Sequence, residues 1–327
     1  MNAFIAIPLL VQVVAAGVLA AGIVVLAGPR TIAALAAWGQ QQRIREDAPA
    51  RHQAKTGTPT MGGLLLMAAI AAAALLVAGP DRRVLFGLAV MGAFGAVGLL
   101  DDLLAIQHNR NLGFRARERL AMQIILGLAL GYLAARQSWL GTEIIVPWVG
   151  PLDLGWGYVI FAALLYVGFT NAVNLSDGLD GLAAGLVAVA AFGLVVVALT
   201  ALLSSAAVLG AAVVGACAGF LKHNTHPARI FMGDVGSNAL GGVLAALAII
   251  TKSEIAFLFI GGVFVAEAAS VMMQVAYFKL TGGRRIFRMS PLHHHFELVG
   301  WSEPVIVRRF YLAGWVCLLI GLLVAGW

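Results

Sequence analysis

The chain has 327 residues, of which 61% are hydrophobic and 11% charged, and its formal net charge is +6 at pH 7. Soluble domains are about half apolar and about a quarter charged, so this composition excludes an ordinary soluble protein and indicates an integral membrane protein. The 39 glycines suit helices that pack closely in lipid. Cys217 and Cys317 lie in separate apolar runs, and we expect both to be free thiols.

Apolar runs along the chain predict ten transmembrane helices, because the core of a bilayer needs about 20 apolar residues per helix. The predicted spans are 4–27, 61–79, 84–100, 120–136, 156–171, 182–203, 205–221, 238–251, 255–279 and 307–327. We interpret the first as a spanning helix and not as a removed signal peptide, because it lacks a basic start and a cleavage site. The predicted fold class is an all-α polytopic membrane protein, with residues 1–327 as a single domain.

The basic residues predict the orientation in the membrane. Of the 21 Lys and Arg residues, only Arg82, Arg83, Arg136 and Lys252 fall in the predicted loops of one side. The positive-inside rule therefore assigns the other loops to the cytoplasm, namely 28–60, 101–119, 172–181, 222–237 and 280–306. With ten spans, both termini are predicted to lie outside. On the outer face, TEIIVPWVGPLDLGW (142–156) predicts a short β-hairpin around a Gly150-Pro151 turn.

Polar residues cluster on the predicted cytoplasmic side, next to hydrocarbon, where carboxylates are costly and usually functional. The clusters are KTGTPTMGG at 55–63, GLLDD at 98–102, NAVNLSDGLDGLAAG at 171–185, HNTHPARIFMGDVGSNALGG at 223–242 and SPLHHHFE at 290–297. The first combines a lysine with a glycine-bracketed backbone, which suits phosphate. The paired aspartates of the second repel each other unless a cation lies nearby. These segments together predict cytoplasmic active-site loops.

The ligand types favour a hard cation. Carboxylates and amides predominate, without a thiolate cluster, and such oxygen ligands suit Mg²⁺ or Mn²⁺ held together with substrate phosphates. Three consecutive histidines cannot all face one metal from a regular helix, so an anion-binding or hydrogen-bonding loop is the better interpretation of 293–295. Glu267 is the one acid deep within a predicted span, and both a structural hydrogen bond and a catalytic role stay open for it.

The polar motifs resemble those of a known family of enzymes. KTGTPTMGG, GLLDD, NAVNLSDGLDGLAAG, HPARIFMGDVGS and SPLHHHFE occur in the order typical of the polyprenyl-phosphate N-acetylhexosamine-1-phosphate transferase superfamily. SPLHHHFE resembles its phospho-N-acetylmuramoyl-pentapeptide transferase branch. The resemblance implies transfer of phospho-MurNAc-pentapeptide from UDP-MurNAc-pentapeptide to undecaprenyl phosphate, which gives lipid I and UMP in peptidoglycan biosynthesis, with Mg²⁺ required. It also implies a multi-pass enzyme of the bacterial inner membrane, a cytoplasmic active site, a homodimer and no nucleic-acid partner.

The same resemblance implies roles for individual residues. Asp234 would bind Mg²⁺, Asp101 would orient or deprotonate the lipid phosphate, and Asp102 would support either the metal or Asp101. A covalent phospho-aspartate stays open. The remaining implied metal ligands are Asp177 and Asn174, and the implied substrate-binding residues are Lys55, Thr60, Asn171, Asn174, Asp177, Gly178, Leu179, Asp180, Asn224, Phe231, His293, His294, His295, Arg117 and Arg119.

Two alternatives remain at this stage. A sister transferase that moves GlcNAc-1-phosphate or another sugar phosphate would share the aspartate motifs but not the histidine triplet. A lipid-linked sugar transporter or a membrane scaffold would not need aspartates clustered on one face. Two departures from the family pattern are Asn238, where leucine is common, and a lysine-poor loop after Asp102.

Overall fold

The computed structural model describes residues 8–38, 57–107 and 113–326. Apart from one small sheet, the regular structure in these ranges is helical. The elements in chain order are α1 (Leu9–Ala37), α2 (Gly63–Ala78), α3 (Arg82–Gln107), α4 (Ala116–Arg136), β1 (Glu143–Val146), β2 (Gly150–Asp153), α5 (Gly157–Ser176), α6 (Leu182–Thr200), α7 (Ser204–Asn224), α8 (Gly233–Ile250), α9 (Glu254–Ile260), α10 (Gly262–Leu280), α11 (Leu292–Val299) and α12 (Glu303–Val324).

Within the described ranges, nine helices are long and apolar enough to cross a membrane, namely all except α2, α9 and α11. The polytopic helical class is therefore confirmed, although not with ten full-length spans. The predicted second span forms α2, which has only 16 residues. The predicted span 255–279 is broken at Gly261 into α9 and α10. The Phe169 ring packs so closely on Gly261 that a Cβ there would lie 2.5 Å from it, a contact that hydropathy cannot predict.

Several helices extend beyond their apolar runs, and the extra turns carry the polar motifs. Helix α3 continues to Gln107 and so includes Asp101 and Asp102. Helix α5 continues to Ser176 and includes Asn174. Helix α8 begins at Gly233, so Asp234 lies in its first turn and not in the loop predicted over 222–237. Helical hydrogen bonding does not depend on apolar side chains, so a helix can continue after its apolar run ends.

Two local predictions were wrong. The histidine triplet lies on the eight-residue helix α11 and not in a loop. Strands β1 and β2 form the expected antiparallel pair, but Val146 pairs with Gly150 and the turn occupies 147–149. Trp148 and Gly150 both adopt positive φ, which moves the reversal before the Gly150-Pro151 pair. The side of the membrane on which this hairpin and the termini lie stays a prediction.

Helix α8 is the centre of the bundle. All of its residues from Val235 to Ile250 are buried, and it packs against α2, α3 and α5. Glycine makes the closest crossing possible, because a Cβ on Gly98 of α3 would overlap the backbone carbonyl of Asp234. The first turn of α8 is thereby fixed against the end of α3 that carries the paired aspartates.

Candidate active site

Three carboxylates converge where the end of α3 meets the start of α8. Asp101 and Asp102 come from α3, and Asp234 comes from the first turn of α8. The Asp101 residue is only 5% exposed, whereas the side chain of Asp234 is 28% exposed. Of these three acids, Asp234 combines this position with a surface that a ligand can reach.

Asp102 acts as the cap of α8. Its Oδ1 accepts the backbone N–H of Asp234 at 3.1 Å, and its Oδ2 accepts that of Val235 at 2.9 Å. A carboxylate at a helix N-terminus satisfies backbone donors that have no partner within the helix and interacts favourably with the helix dipole. Asp102 therefore fixes the backbone that carries Asp234.

Arg119 links the other two aspartates. Its Nη1 lies 2.9 Å from Oδ2 of Asp234 and 3.5 Å from Oδ2 of Asp101. The second oxygen of Asp101 accepts the backbone N–H of Phe114 at 2.7 Å. The guanidinium thus offsets the repulsion between two carboxylates. The neighbouring Arg117 is exposed.

Asn174 holds Asp234 from the side of α5. Its Nδ2 donates to Oδ1 of Asp234 at 2.7 Å and to Oγ of Ser237 at 2.9 Å. The two Asp234 oxygens are therefore engaged by an amide on one side and by a guanidinium on the other. The structure thus brings Asn174 and the three aspartates together at the start of α8.

A second amide network lies deeper in the bundle and includes a residue that the sequence did not single out. Nδ2 of Asn171 donates to Oε1 of Gln123 at 2.7 Å, and Nε2 of Gln123 donates to Oδ1 of Asn238 at 2.9 Å. Asn238 in turn donates to the backbone carbonyl of Asp234 at 2.7 Å. Gln123 is fully buried. A lone glutamine within the apolar run of α4 was its only signal in the sequence.

The chemistry of this donor set fits a hard divalent cation. The aspartates offer three carboxylates against the single positive charge of Arg119, and the Asn174 amide can also present its oxygen. Mg²⁺ favours oxygen ligands and usually binds through one or two carboxylates together with substrate phosphates. Asp234 and Asn174 are thus suitable ligands among the described residues.

The segment after α5 forms a tight turn over residues 177–181. The backbone N–H of Asp177 donates to the Asn174 carbonyl at 3.2 Å, and Leu179 is buried. Asn224 accepts the Gly181 N–H at 3.0 Å and donates to the Ile230 carbonyl at 2.8 Å. This turn is therefore attached to the segment that leads into α8.

Asp180 is the centre of a second polar group. Its Oδ2 accepts from Ala228 N–H at 3.0 Å and lies 3.0 Å from Nδ1 of His226, while its own N–H donates to Oε1 of Glu303 at 2.6 Å. Ligand atoms of Asp180, His226 and Glu303 all lie within 4.8 Å of one another, which makes them a possible metal-binding triad. The sequence motifs did not predict this grouping, because Glu303 comes from α12, far along the chain.

The glycine-bracketed segment packs against the start of α8. Phe231 N–H donates to the Pro59 carbonyl at 2.8 Å, and the Phe231 carbonyl accepts the Gly62 N–H at 2.9 Å. Thr60 is buried beside Gly233, where a Cβ would lie 3.0 Å from the threonine Oγ1. Lys55, the predicted phosphate ligand, lies outside the described residues.

The three histidines of α11 have three different partners. His293 is fully buried, with Nδ1 3.3 Å from Oε1 of Glu267. His294 Nδ1 lies 2.6 Å from Oε2 of Glu297, and His295 Nδ1 accepts the Arg288 N–H at 3.1 Å. The Nδ1 atoms of the three histidines therefore do not converge on one point.

Comparison with known proteins agrees with this class of site. Residues 84–252 match the model of the family described as glycosyl transferase family 4. This range includes the paired aspartates, the turn at 177–181 and Asp234. The fold and the site thus belong to a membrane-embedded member of that class.

Curated relatives narrow the class further, and each is named phospho-N-acetylmuramoyl-pentapeptide-transferase. The protein of Desulforudis audaxviator is 48% identical over 94% of this chain and 96% of its own length. That of Desulforamulus reducens is 46% identical over 93% and 94%, and that of Geobacillus kaustophilus is 46% identical over 88% and 89%. The chain belongs to the phospho-N-acetylmuramoyl-pentapeptide-transferase family, which confirms the resemblance seen in the sequence motifs.

Proposed function

We propose that this chain transfers phospho-MurNAc-pentapeptide from UDP-MurNAc-pentapeptide to undecaprenyl phosphate, and so forms lipid I and UMP. The observation that carries the proposal is the convergence of Asp101, Asp102 and Asp234 at the start of α8, in a chain of this family. An oxygen of the lipid phosphate attacks the phosphorus that bears the sugar. The bond from that phosphorus to the oxygen bridging to UMP breaks, and UMP departs with the electron pair.

Asp234 is the proposed ligand of Mg²⁺, with Asn174 and Asp177 as further ligands. When bound, the ion supplies positive charge that stabilises the pyrophosphate and the departing UMP. Asp102 keeps Asp234 in place through the two N–H groups that it accepts. Asp101 lies on the other side of Arg119 and is proposed to orient the lipid phosphate. Placement matters more than basicity, because a phosphate monoester with a second pKa of about 6 is mostly ionised at neutral pH.

The turn at 177–181 is the proposed wall of the nucleotide site. Gly178, Leu179 and Asp180 line it, and Asn224 attaches it to the segment that bears Phe231. A phenylalanine at the rim of such a site can stack on uracil. Lys55, Thr60, Arg117 and Arg119 are proposed to contact phosphates, and the histidines of α11 are proposed to set the preference for the muramoyl substrate.

The proposed setting is the bacterial plasma membrane, with this site on the cytoplasmic face and a homodimer as the assembly. The basic residues that flank the site support this orientation through the positive-inside rule. The apolar surfaces of the nine long helices support residence in a bilayer.

UMP release by the purified protein tests this function. The protein in detergent is supplied with undecaprenyl phosphate and Mg²⁺, and with either UDP-MurNAc-pentapeptide or UDP-GlcNAc. We expect UMP and a lipid-linked product from the muramoyl substrate and little of either from UDP-GlcNAc. Removal of Mg²⁺ with EDTA should stop the reaction, and restored Mg²⁺ should recover it. Efficient UMP release from UDP-GlcNAc would instead assign the protein to the sister transferases.

A further inference from the structure

Glu267 and His293 form a buried pair, and the proposed function gives Glu267 no role. Glu267 comes from α10 and His293 from α11, and both side chains are 0% exposed. Oε1 of Glu267 and Nδ1 of His293 lie 3.3 Å apart, within hydrogen-bond distance. Among the described residues, neither the second oxygen of Glu267 nor Nε2 of His293 has a hydrogen-bond partner.

Burial of such a pair is unfavourable without a compensating interaction. A carboxylate and an imidazole removed from water lose their hydration, and each polar atom left without a partner adds to the cost. The pair also lacks the bidentate geometry that makes an ion pair strong. The pair is therefore better explained by a need to hold the His293 ring in place than by a gain in the stability of the fold.

The unpartnered side of the His293 ring faces the proposed nucleotide wall. A Cβ on Gly178 would overlap Nε2 of His293, and the other nearby atoms would be Cε1 at 3.2 Å and Cδ2 at 3.3 Å from that Cβ. The imidazole thus lies directly on the backbone of Gly178, where only glycine leaves room for it. Gly178 belongs to the turn at 177–181, two residues before Asp180.

Two successive contacts therefore connect the apolar interior to the turn at 177–181. They begin at Glu267 in α10, pass through the imidazole of His293 and end at Gly178. The turn is held on its other side by Asn224 and Glu303, through the N–H groups of Gly181 and Asp180. Movement of the His293 ring would remove one of the contacts that hold the turn.

We propose that Glu267 is a positioning residue of this transferase, which fixes the His293 imidazole against Gly178 and so sets the shape of the nucleotide wall. The inference rests on the proposed function, because it assigns the turn to the nucleotide. Glu267 does not touch the substrate. Its effect is expected on the affinity for UDP-sugar and UMP and not on the affinity for the lipid.

The test compares Glu267→Met, which removes the hydrogen-bond partner, with Glu267→Gln, whose amide oxygen still accepts from Nδ1. The matched control is Glu254→Met, since Glu254 is equally buried, bonds Tyr158 through one oxygen and leaves the other without a partner. We expect Glu267→Met to raise the KM for UDP-MurNAc-pentapeptide and the Kd of UMP about tenfold, with the KM for undecaprenyl phosphate unchanged. Glu267→Gln should stay within about twofold of wild type.

A second test probes the contact between Gly178 and His293 directly, and it remains informative even if Glu267→Met does not fold. Gly178→Ala should abolish UMP binding, because its methyl group overlaps the imidazole. In Gly178→Ala/His293→Ala the overlap is gone, and UMP affinity should return to that of His293→Ala alone. If the double variant binds UMP no better than Gly178→Ala, the contact does not act as proposed.

Failure of this inference and failure of the proposed function give different results. Equal shifts in the KM for the nucleotide in Glu267→Met and Glu254→Met would overturn the positioning role, as would a loss in Glu267→Gln as large as that in Glu267→Met. Wild-type protein that releases no UMP from UDP-MurNAc-pentapeptide would overturn the function itself. UMP binding, measured by calorimetry, tests the positioning role without turnover.

Discussion

The carboxylate of Asp102 caps the helix that carries Asp234, with one oxygen 3.1 Å from the Asp234 amide nitrogen. The other oxygen accepts the next amide, from Val235, at 2.9 Å. The adjacent aspartates of α3 therefore have different partners, since Asp101 contacts the Arg119 side chain whereas Asp102 contacts backbone N–H groups of α8. The family resemblance implied separate roles for the two aspartates, but the backbone contacts of Asp102 are evident only in the fold.

Asp102→Asn is expected to weaken this cap, because an amide offers one acceptor oxygen and places its own N–H₂ group against backbone donors. Loss of a helix cap costs about 0.5–2 kcal/mol of stability. We therefore expect a lower apparent Tm in detergent together with reduced UMP release. An unchanged Tm with near-normal turnover would show that Asp234 does not depend on the cap.

The sequence predicted the helical membrane class, and its hydropathy pattern also singles out polar residues that the fold brings together, for a physical reason. Polar residues are costly beside hydrocarbon, so Asn174, Asp101 and Asp234 stand out in any hydropathy pattern. Contacts between distant elements leave no such pattern. Glu303 joins Asp180 from far along the chain, and Gln123 is a single polar residue in an apolar run, so their partners became evident only in the fold.

Gly98→Ala should separate α3 from α8. Its Cβ would overlap the Asp234 carbonyl, and such overpacking costs about 1–3 kcal/mol. We expect a lower Tm and a loss of UMP release. Gly92→Ala is the matched control on the same helix, because a Cβ there would meet nothing within 4 Å. Equal behaviour of the two variants would contradict the close crossing.

Arg119→Met is expected to lower kcat about 100-fold, in the range for loss of one positioned charged donor. Without the guanidinium, Asp101 and Asp234 repel each other and the site loses a phosphate-binding charge. Arg119→Lys keeps the positive charge but replaces the planar guanidinium with a compact ammonium group, so its loss of kcat should be smaller. Arg136→Met, at the other end of α4, serves as the control in the UMP assay. A kcat for Arg119→Met equal to that of the control would exclude this role.

Removing one partner of the Gln123–Asn238 hydrogen bond is expected to lower stability more than removing both partners. Asn238→Leu leaves Nε2 of the fully buried Gln123 without its acceptor, at a cost of about 1–3 kcal/mol. Replacing Gln123 with leucine as well removes the unpaired donor, so the double variant should recover part of the lost Tm. Strictly additive losses across the double-mutant cycle would contradict a direct coupling.

The most direct measurement for the whole account is UMP release by Asp234→Asn during a Mg²⁺ titration, with Asp153→Asn on the exposed strand β2 as the control. An amide oxygen binds Mg²⁺ more weakly than a carboxylate and leaves more pyrophosphate charge without compensation. We expect the rate of UMP release by Asp234→Asn to be lower than that of wild type by at least about 100-fold at every Mg²⁺ concentration. The rate for Asp153→Asn should equal that of wild type. Near-wild-type UMP release by Asp234→Asn at saturating Mg²⁺ would contradict the proposed role of Asp234.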